Sequence, residues 1–296
     1  MSRNIHYSSP SKKTNQAKIP LVWSLLIALL AGGVFSFALA PYHYWWLALL
    51  SPAVLYACVH QRSAKQAAWI GLAYGFGLWF VGAFWLYTSI HLFGAISSPV
   101  AVLMVAVMAF VMALFSAAQL YVYRRFFPET PLAFAPVWVV FEWLKTWLFT
   151  GFPWLFVGYA FTERFLDHVA PIFGVLGVSF IAVLLACAGA ELLRKRWVWL
   201  VPSAVVLLST WAVGQITWVQ QKNTAPLSVS LVQGNIQQDL KWQQQQFFKT
   251  LQTYTQLSEQ EWGRDLVVWP ESAVPSLQTS IPEFFDDVGR VAQASS

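Results

Sequence analysis

The sequence predicts a multi-span α-helical membrane protein followed by the start of an α/β layer, and three observations carry that prediction. Of 296 residues, 57% are hydrophobic and only 10% charged, with a mean hydropathy of +0.54, which is too apolar for a soluble chain of this length. Seven apolar runs fill residues 19 to 215, where a hydrocarbon core about 30 Å thick asks for roughly 20 residues per helix. After Lys222-Asn223-Thr224 the runs give way to short alternating elements in the order β-α-β-α, the pattern of helices layered on a sheet.

The chain opens with a polar tail, residues 1–18, carrying Arg3, Lys12, Lys13 and Lys18. The apolar runs are 19–40, 44–60, 67–90, 99–127, 132–149, 168–193 and 197–215, and the breaks between them carry Pro41, Pro128, Gly151 and Pro153. A cleaved signal peptide is a rival reading of the first run. Its apolar stretch is longer than a signal core, Pro41 would follow the cut, and a second apolar run comes at once. The 17 Trp fit a protein with many membrane interfaces, where the amphipathic indole is favoured.

Basic residues cluster in the tail and after the second run (Arg62, Lys65), the fourth (Arg124, Arg125) and the sixth (Arg194, Lys195, Arg196), while the loops after the first and third carry none. The positive-inside rule then places the N-terminus in the cytoplasm, and seven spans deliver the C-terminal segment to the other side. These clusters form no continuous basic face, and no nucleic-acid motif accompanies them, so a nucleic-acid partner is not expected. Cys58 and Cys187 lie inside apolar runs without metal-ligand spacing, and the five His are scattered singly. Neither a metal nor a cofactor is expected. The domains so drawn are a tail (1–18), a membrane bundle of seven helices (19–218) and a partial extracytoplasmic domain (227–296).

In that last domain Leu227, Val229 and Leu231 alternate at period two as a strand. Residues 243–261 form a helix with Phe247, Leu251, Tyr254 and Leu257 on one stripe. Leu266-Val267-Val268-Trp269 reads as a fully buried strand that Pro270 ends, placing Glu271 at the strand's C-terminal edge, where α/β sheets carry their sites. Ser280-Ile281-Pro282-Glu283 reads as a capping box opening a helix over 281–294.

Three motifs then resemble the bacterial apolipoprotein N-acyltransferases: Thr150-Gly151-Phe152-Pro153-Trp154; Val232-Gln233-Gly234-Asn235-Ile236 followed by Lys241-Trp242; and Val268-Trp269-Pro270-Glu271-Ser272-Ala273-Val274-Pro275. Phe37-Ala38-Leu39-Ala40-Pro41 and Tyr44-Trp45-Trp46 add weaker support. The resemblance covers nearly the whole chain. It implies a bundle of eight spans in the cell inner membrane, with a periplasmic nitrilase-like (carbon-nitrogen hydrolase) α/β sandwich between the last two. It also implies transfer of an acyl chain from a phospholipid to the N-terminal amine of a diacylglyceryl-cysteine apolipoprotein, through a thioester on a cysteine. Of the family's Glu-Lys-Cys triad only the glutamate maps here, onto Glu271. A carboxylate in a partly desolvated pocket can take a thiol's proton and return it, while the lysine would stabilise the oxyanion.

The resemblance marks Trp242 as a residue near the active-site opening, against the ordinary alternative of a hydrophobic anchor. Trp154 either belongs to the interfacial belt or helps hold acyl chains. Glu142 and Lys145, one turn apart inside the fifth run, either pair with each other or bind a phospholipid headgroup, with lysine where the family commonly has arginine. The family's lysine, cysteine and eighth span lie downstream of Ser296. The chain is therefore expected to be the N-terminal part of such an enzyme, inactive alone. A membrane-anchored nitrilase-like amidase shares the glutamate and differs only in resolving the acyl-enzyme with water. A non-enzymatic membrane bundle, a transporter or a structural one, would show paired intramembrane charges or broken helices near the midplane, with internal repeats as a further sign.

Overall fold

In a computed structural model of the chain, residues 19–220 and 225–295 are described; the expected tail 1–18 and the composition change at Lys222-Asn223-Thr224 lie outside them. The chain forms two compact units, Met1–Trp218 and Val219–Ser296.

The first unit is helical. Its helices are α1 (Leu21–Phe35), α2 (Leu47–Val59), α3 (Ala64–Gly82), α4 (Leu86–Phe93, its last five residues a π-helical turn), α5 (Ser98–Phe126), α6 (Pro131–Leu144), α7 (Ala170–Leu193) and α8 (Leu200–Val213). Three segments, Leu21–Ala38, Ser98–Phe126 and Phe165–Leu193, are each long and apolar enough to cross a membrane. α3 and α4 make a fourth span if the pair, bent by 58°, is counted as one. The apolar helices Leu47–Val59, Pro131–Leu144 and Trp197–Val213 are shorter than the runs expected there. The reasons are local. Residues 39–46 turn before α2 begins, and Pro131 opens α6 while its C-terminal end gives way to turns from Lys145. α3 opens on a capping box in which Ser63 and Gln66 satisfy each other's backbone N–H groups.

α3 lies between α1 and α5 and meets both through glycine. A β-carbon on Gly77 would sit 2.1 Å from the Leu29 carbonyl oxygen on α1, and one on Gly71 2.3 Å from the Ser116 carbonyl oxygen on α5. Small residues let helix backbones approach this closely where lipid supplies no hydrophobic drive to hold them together. The opposite helix faces expose Val22, Trp23, Leu26 and Leu30 on α1 and Leu103, Val107 and Phe110 on α5. Such apolar surface fits lipid as solvent.

Charge gathers at the ends of α2, α5 and α7. Buried Glu191 accepts a hydrogen bond from the Tyr56 hydroxyl at 2.9 Å and pairs with Arg194 and Arg196, each at 2.9 Å. Glu129 pairs with Arg124 and His60 and accepts the Gln61 amide, while Arg62 bonds to Ser24 and the Ile19 carbonyl. Three of the four basic clusters read from sequence thus meet in this region. Cys58 and Cys187 are buried free thiols.

The second unit holds two strands, β1 (Val229–Leu231) and β2 (Leu266–Val268), paired parallel with Val229 opposite Leu266 and Leu231 opposite Val268. The short helix α9 (Gln238–Lys241) and α10 (Gln244–Glu259) connect them, and α11 (Pro282–Ala294) follows. The β-α-β-α order stands, and the sheet among the described residues has two strands rather than a sandwich. β2 is also not fully buried. Val267 packs on a small cluster of Val232, Tyr254 and Ala273, whereas Leu266 is 51% exposed and Val268 38%, because among the described residues of this unit the cluster forms on the Val267 side of the sheet. Leu227, Val229 and Leu231 keep their period-two pattern and are exposed for the same reason.

Two helical expectations shift by a residue. The α10 stripe runs through Thr250, Leu251, Tyr254 and Ser258, leaving Leu257 exposed, because Ser258 is the residue one turn beyond Tyr254 and its hydroxyl accepts the Trp269 indole N–H at 2.8 Å. The capping box at Ser280 does not form. Pro282 begins α11, so Ile281 takes the cap position, and Ser280 closes a separate 3-10 turn.

Candidate functional site

The parallel pairing of β1 and β2 decides where the motifs of the second unit lie. The loop after β1 is Val232–Ile236 and the loop after β2 is Trp269–Ser272, so both leave the same sheet edge. The ladder extends one step further, the Val232 amide donating to the Val268 carbonyl at 3.0 Å. Asn235 and Ser272 both adopt left-handed backbone conformations, with φ of 48° and 53°, as tight loop ends require. Gly234 approaches the ring of Tyr254, where a β-carbon would lie 2.7 Å from Cζ. Tyr254 packs on Trp269 with ring centroids 5.5 Å apart, and Trp269 on Phe284 at 6.2 Å. Glu271 stands on this edge with its carboxylate exposed, and Lys241 Nζ donates to its backbone carbonyl at 3.2 Å. Trp242, next to Lys241 at the end of α9, is 65% exposed.

At the opposite edge of the sheet Asp265 ties the two strands together. Its carboxylate accepts the Ser228 amide at 2.7 Å and the Ser228 hydroxyl at 2.6 Å, while the hydroxyl accepts the Asp265 amide at 3.0 Å. The Ser228 hydroxyl and amide hold the carboxyl below the ordinary aspartate range. A depressed folded value means the stabilisation is present above the unfolded pKa and is lost as pH falls through the folded one. We expect the Asp265 carboxyl to titrate by NMR below an ordinary aspartate, and Ser228→Ala to return it toward that value.

In the first unit, Glu142, Lys145 and Trp154 are brought together by the segment after α6. Glu142 is 2% exposed, and its Oε1 accepts both the Trp138 indole N–H and the Val157 amide, each at 2.9 Å. The Phe152 amide donates to the Lys145 carbonyl at 2.7 Å. Phe149 and Thr150 have positive φ, and Gly151, at φ 87°, turns the chain where a β-carbon would meet the Thr146 carbonyl oxygen at 2.2 Å. No ion pair joins Glu142 to Lys145 among the described residues. Lys145 Nζ instead stands 5.5 Å from the Trp79 ring centroid and 5.1 Å from that of Phe156, a cation–π arrangement. Among the described residues Glu142 Oε2 has no hydrogen-bond partner, and Glu142 with Lys145 lines a cavity of about 10 Å³, on the scale of one water. Trp154, 43% exposed, stacks on Trp85 at 5.0 Å and on Phe152 at 5.4 Å, and Phe152 stacks on Trp79 at 5.3 Å. An aromatic column thus leads from the surface at Trp85 to the ammonium of Lys145.

Sequence reasoning passed over Trp138, Trp79 and Lys241 as partners. The Trp138–Glu142 spacing of four was a helical signal in plain view; the contacts of Trp79 and Lys241 are long-range and carried none. Among the described residues no group of three or more His, Cys, Asp or Glu is placed to hold a metal ion.

Residues 31–188 match the family described as apolipoprotein N-acyltransferase N-terminal domain. The chain is similar to proteins named apolipoprotein N-acyltransferase from several bacteria. It is 34% identical over 275 residues to that of Photobacterium profundum, covering 91% of this chain and 53% of the relative. It is 35% identical over 279 residues to that of Coxiella burnetii, covering 90% and 57%, and 38% identical over 281 residues to that of Azotobacter vinelandii, covering 90% and 54%. The chain spans about half the length of the curated relatives it matches.

Proposed function

Because the chain belongs to the apolipoprotein N-acyltransferase family, we propose that it supplies the membrane bundle and the general base of an enzyme that moves an acyl chain from a phospholipid to a diacylglyceryl-cysteine apolipoprotein. The observation that carries this reading is the shared edge of β1 and β2. It sets the Gln233-Gly234-Asn235 loop beside the Trp269-Pro270-Glu271-Ser272 loop, with Lys241 fastened to Glu271's backbone.

In the proposed reaction Glu271 takes the proton of the family's cysteine thiol, and the thiolate attacks the phospholipid ester carbonyl. The family's lysine faces the oxyanion, and the leaving lysophospholipid alkoxide receives the proton from Glu271. The lipoprotein amine then attacks the thioester and gives its proton to Glu271, which returns it to the departing thiolate. The cysteine and lysine would come from the remainder of a family-length enzyme, whose nitrilase-like domain residues 227–296 begin. Trp242 would border the opening to this site. In the bundle, Trp154 and Lys145 would meet the acyl chain and phosphate of the donor, with Glu142 holding their segment in place.

The gathering of Arg62, Arg124, Arg194 and Arg196 near one end of the helices supports placing that end in the cytoplasm of a bacterial inner membrane, and Glu271 in the periplasm. To test the function, residues 1–296 are joined to the second half of the Azotobacter vinelandii relative and placed in phospholipid vesicles with a diacylglyceryl-cysteine peptide. The expected product is the triacylated peptide, seen by mass. Free fatty acid alone would show water, not the amine, resolving the acyl-enzyme and would overturn the transferase reading, and no product beside an active parent relative would refute the assignment.

A further inference from the structure

Two consecutive backbone amides in the segment after α6 are held by buried side chains from two different helices. The Val157 amide donates to Glu142 Oε1 on α6 at 2.9 Å, and the next amide, that of Gly158, donates to the Ser179 hydroxyl oxygen on α7 at 2.8 Å. Ser179 and Val157 are both fully buried. Gly158 lies directly on α7. A β-carbon there would sit 2.3 Å from the Val175 carbonyl oxygen and 3.1 Å from Ser179 Oγ, so the missing side chain is what lets this amide reach the hydroxyl.

This double hold closes the segment that carries Trp154. The segment's other end is fixed where the Phe152 amide donates to the Lys145 carbonyl at 2.7 Å. Only residues 153–156 separate the two anchors, and among them Leu155 packs on α3, where a β-carbon on Gly82 would lie 2.6 Å from its Cδ1. The place of Trp154 therefore follows from both ends. A buried amide that loses its acceptor has no water to take over, so without the Ser179 oxygen the Gly158 end is no longer tied to α7. A loosened segment would have to be ordered each time the donor binds, which raises KM and leaves the chemical steps alone.

We propose that Ser179 is a positioning residue: by holding the Gly158 amide it sets Trp154 in place for the donor, a role that rests on the assignment of Trp154 to the donor's acyl chain. The chain is labelled with fluorotryptophan in detergent, its Trp154 fluorine resonance is identified through Trp154→Phe, and deuterium uptake across residues 156–160 is read by mass spectrometry. Ser179→Ala is expected to move the Trp154 resonance and to speed that uptake by about tenfold, the scale of one buried hydrogen bond. In the joined enzyme it should raise the KM for phospholipid by about tenfold and leave kcat unchanged. Ser24→Ala is the control. It removes another buried hydroxyl, one that accepts from Arg62 at 2.9 Å among the charges at the ends of α2 and α5, so it should leave Trp154, the uptake and KM as they are. Ser179→Cys, a weaker acceptor of similar size, should show the same changes to a smaller degree and serves where the alanine variant does not fold. A Trp154 resonance unmoved by Ser179→Ala, or moved as far by Ser24→Ala, overturns the proposal. A resonance moved by Ser179→Ala beside an unchanged KM upholds the hold on Trp154 and refutes instead the assignment of Trp154 to the donor.

Discussion

Glu271→Gln in the joined enzyme is expected to slow acyl transfer by about 100- to 10,000-fold, the contribution of a positioned general base. The side chain keeps its size and loses the ability to accept a proton. It makes no side-chain hydrogen bond among the described residues and is exposed, so the substitution leaves the fold intact. The loss belongs to both half-reactions, because the same carboxylate would deprotonate the thiol and then the amine. Mass measurement of the enzyme with phospholipid alone separates them: the variant should fail to accumulate the thioester as well as the product. Lys241→Ala is the informative companion. The Lys241 ammonium donates to the backbone carbonyl of Glu271, so its removal should disturb the loop's position and cost far less than removal of the base. A Glu271→Gln enzyme with unchanged turnover would remove this residue from the chemistry.

The second large effect is on stability. Glu142→Ala strips one acceptor from two buried donors, the Trp138 indole and the Val157 amide, each costing about 1–3 kcal/mol when left unpaired. Relief from burying a carboxylate offsets part of this, and a net loss of about 3 kcal/mol is expected. At about 2–4 °C per kcal/mol, the melting temperature of the purified chain in detergent should fall by roughly 6–12 °C. Glu142→Gln keeps the oxygen that accepts both bonds and should cost about 1 kcal/mol or less. Lys145→Met tests the rival idea that the two residues form an ion pair. A pair would make the alanine and methionine substitutions comparably damaging, because each leaves the other charge alone and buried. The geometry instead gives Lys145 two aromatic faces and gives Glu142 the loop, so the losses should be unequal. The loop at stake carries Trp154, whose fluorescence should shift in Glu142→Ala and stay put in Glu142→Gln.

These residues also mark how far the sequence could be read. Membrane character followed from composition, because water and lipid sort side chains by polarity whatever the tertiary arrangement. α5 was legible almost to the residue, since no proline interrupts it after its first turn and it ends just before Pro128. The third run was read as one span; the structure breaks it between Gly82 and Leu86, where a bend depends on neighbours rather than on local apolarity. The strand before Glu271 was legible as a strand and misread as buried. Four apolar residues report what a segment would bury, and burial itself requires a covering layer, which the Leu266 and Val268 side of the sheet lacks among the described residues of this unit.

By itself, then, the sequence determined a multi-span helical chain, the switch to alternating strands and helices after residue 224, the motif loops and the family they resemble. Each is a property of residue type or of short spacing along the chain. Tertiary structure alone decided that β1 and β2 pair in parallel and bring two distant loops to one edge. It decided likewise that Glu142 Oε1 accepts both the Trp138 indole and the Val157 amide. Those outcomes depend on which groups compete for one acceptor or one surface, and the competition exists only once distant parts of the chain are in contact.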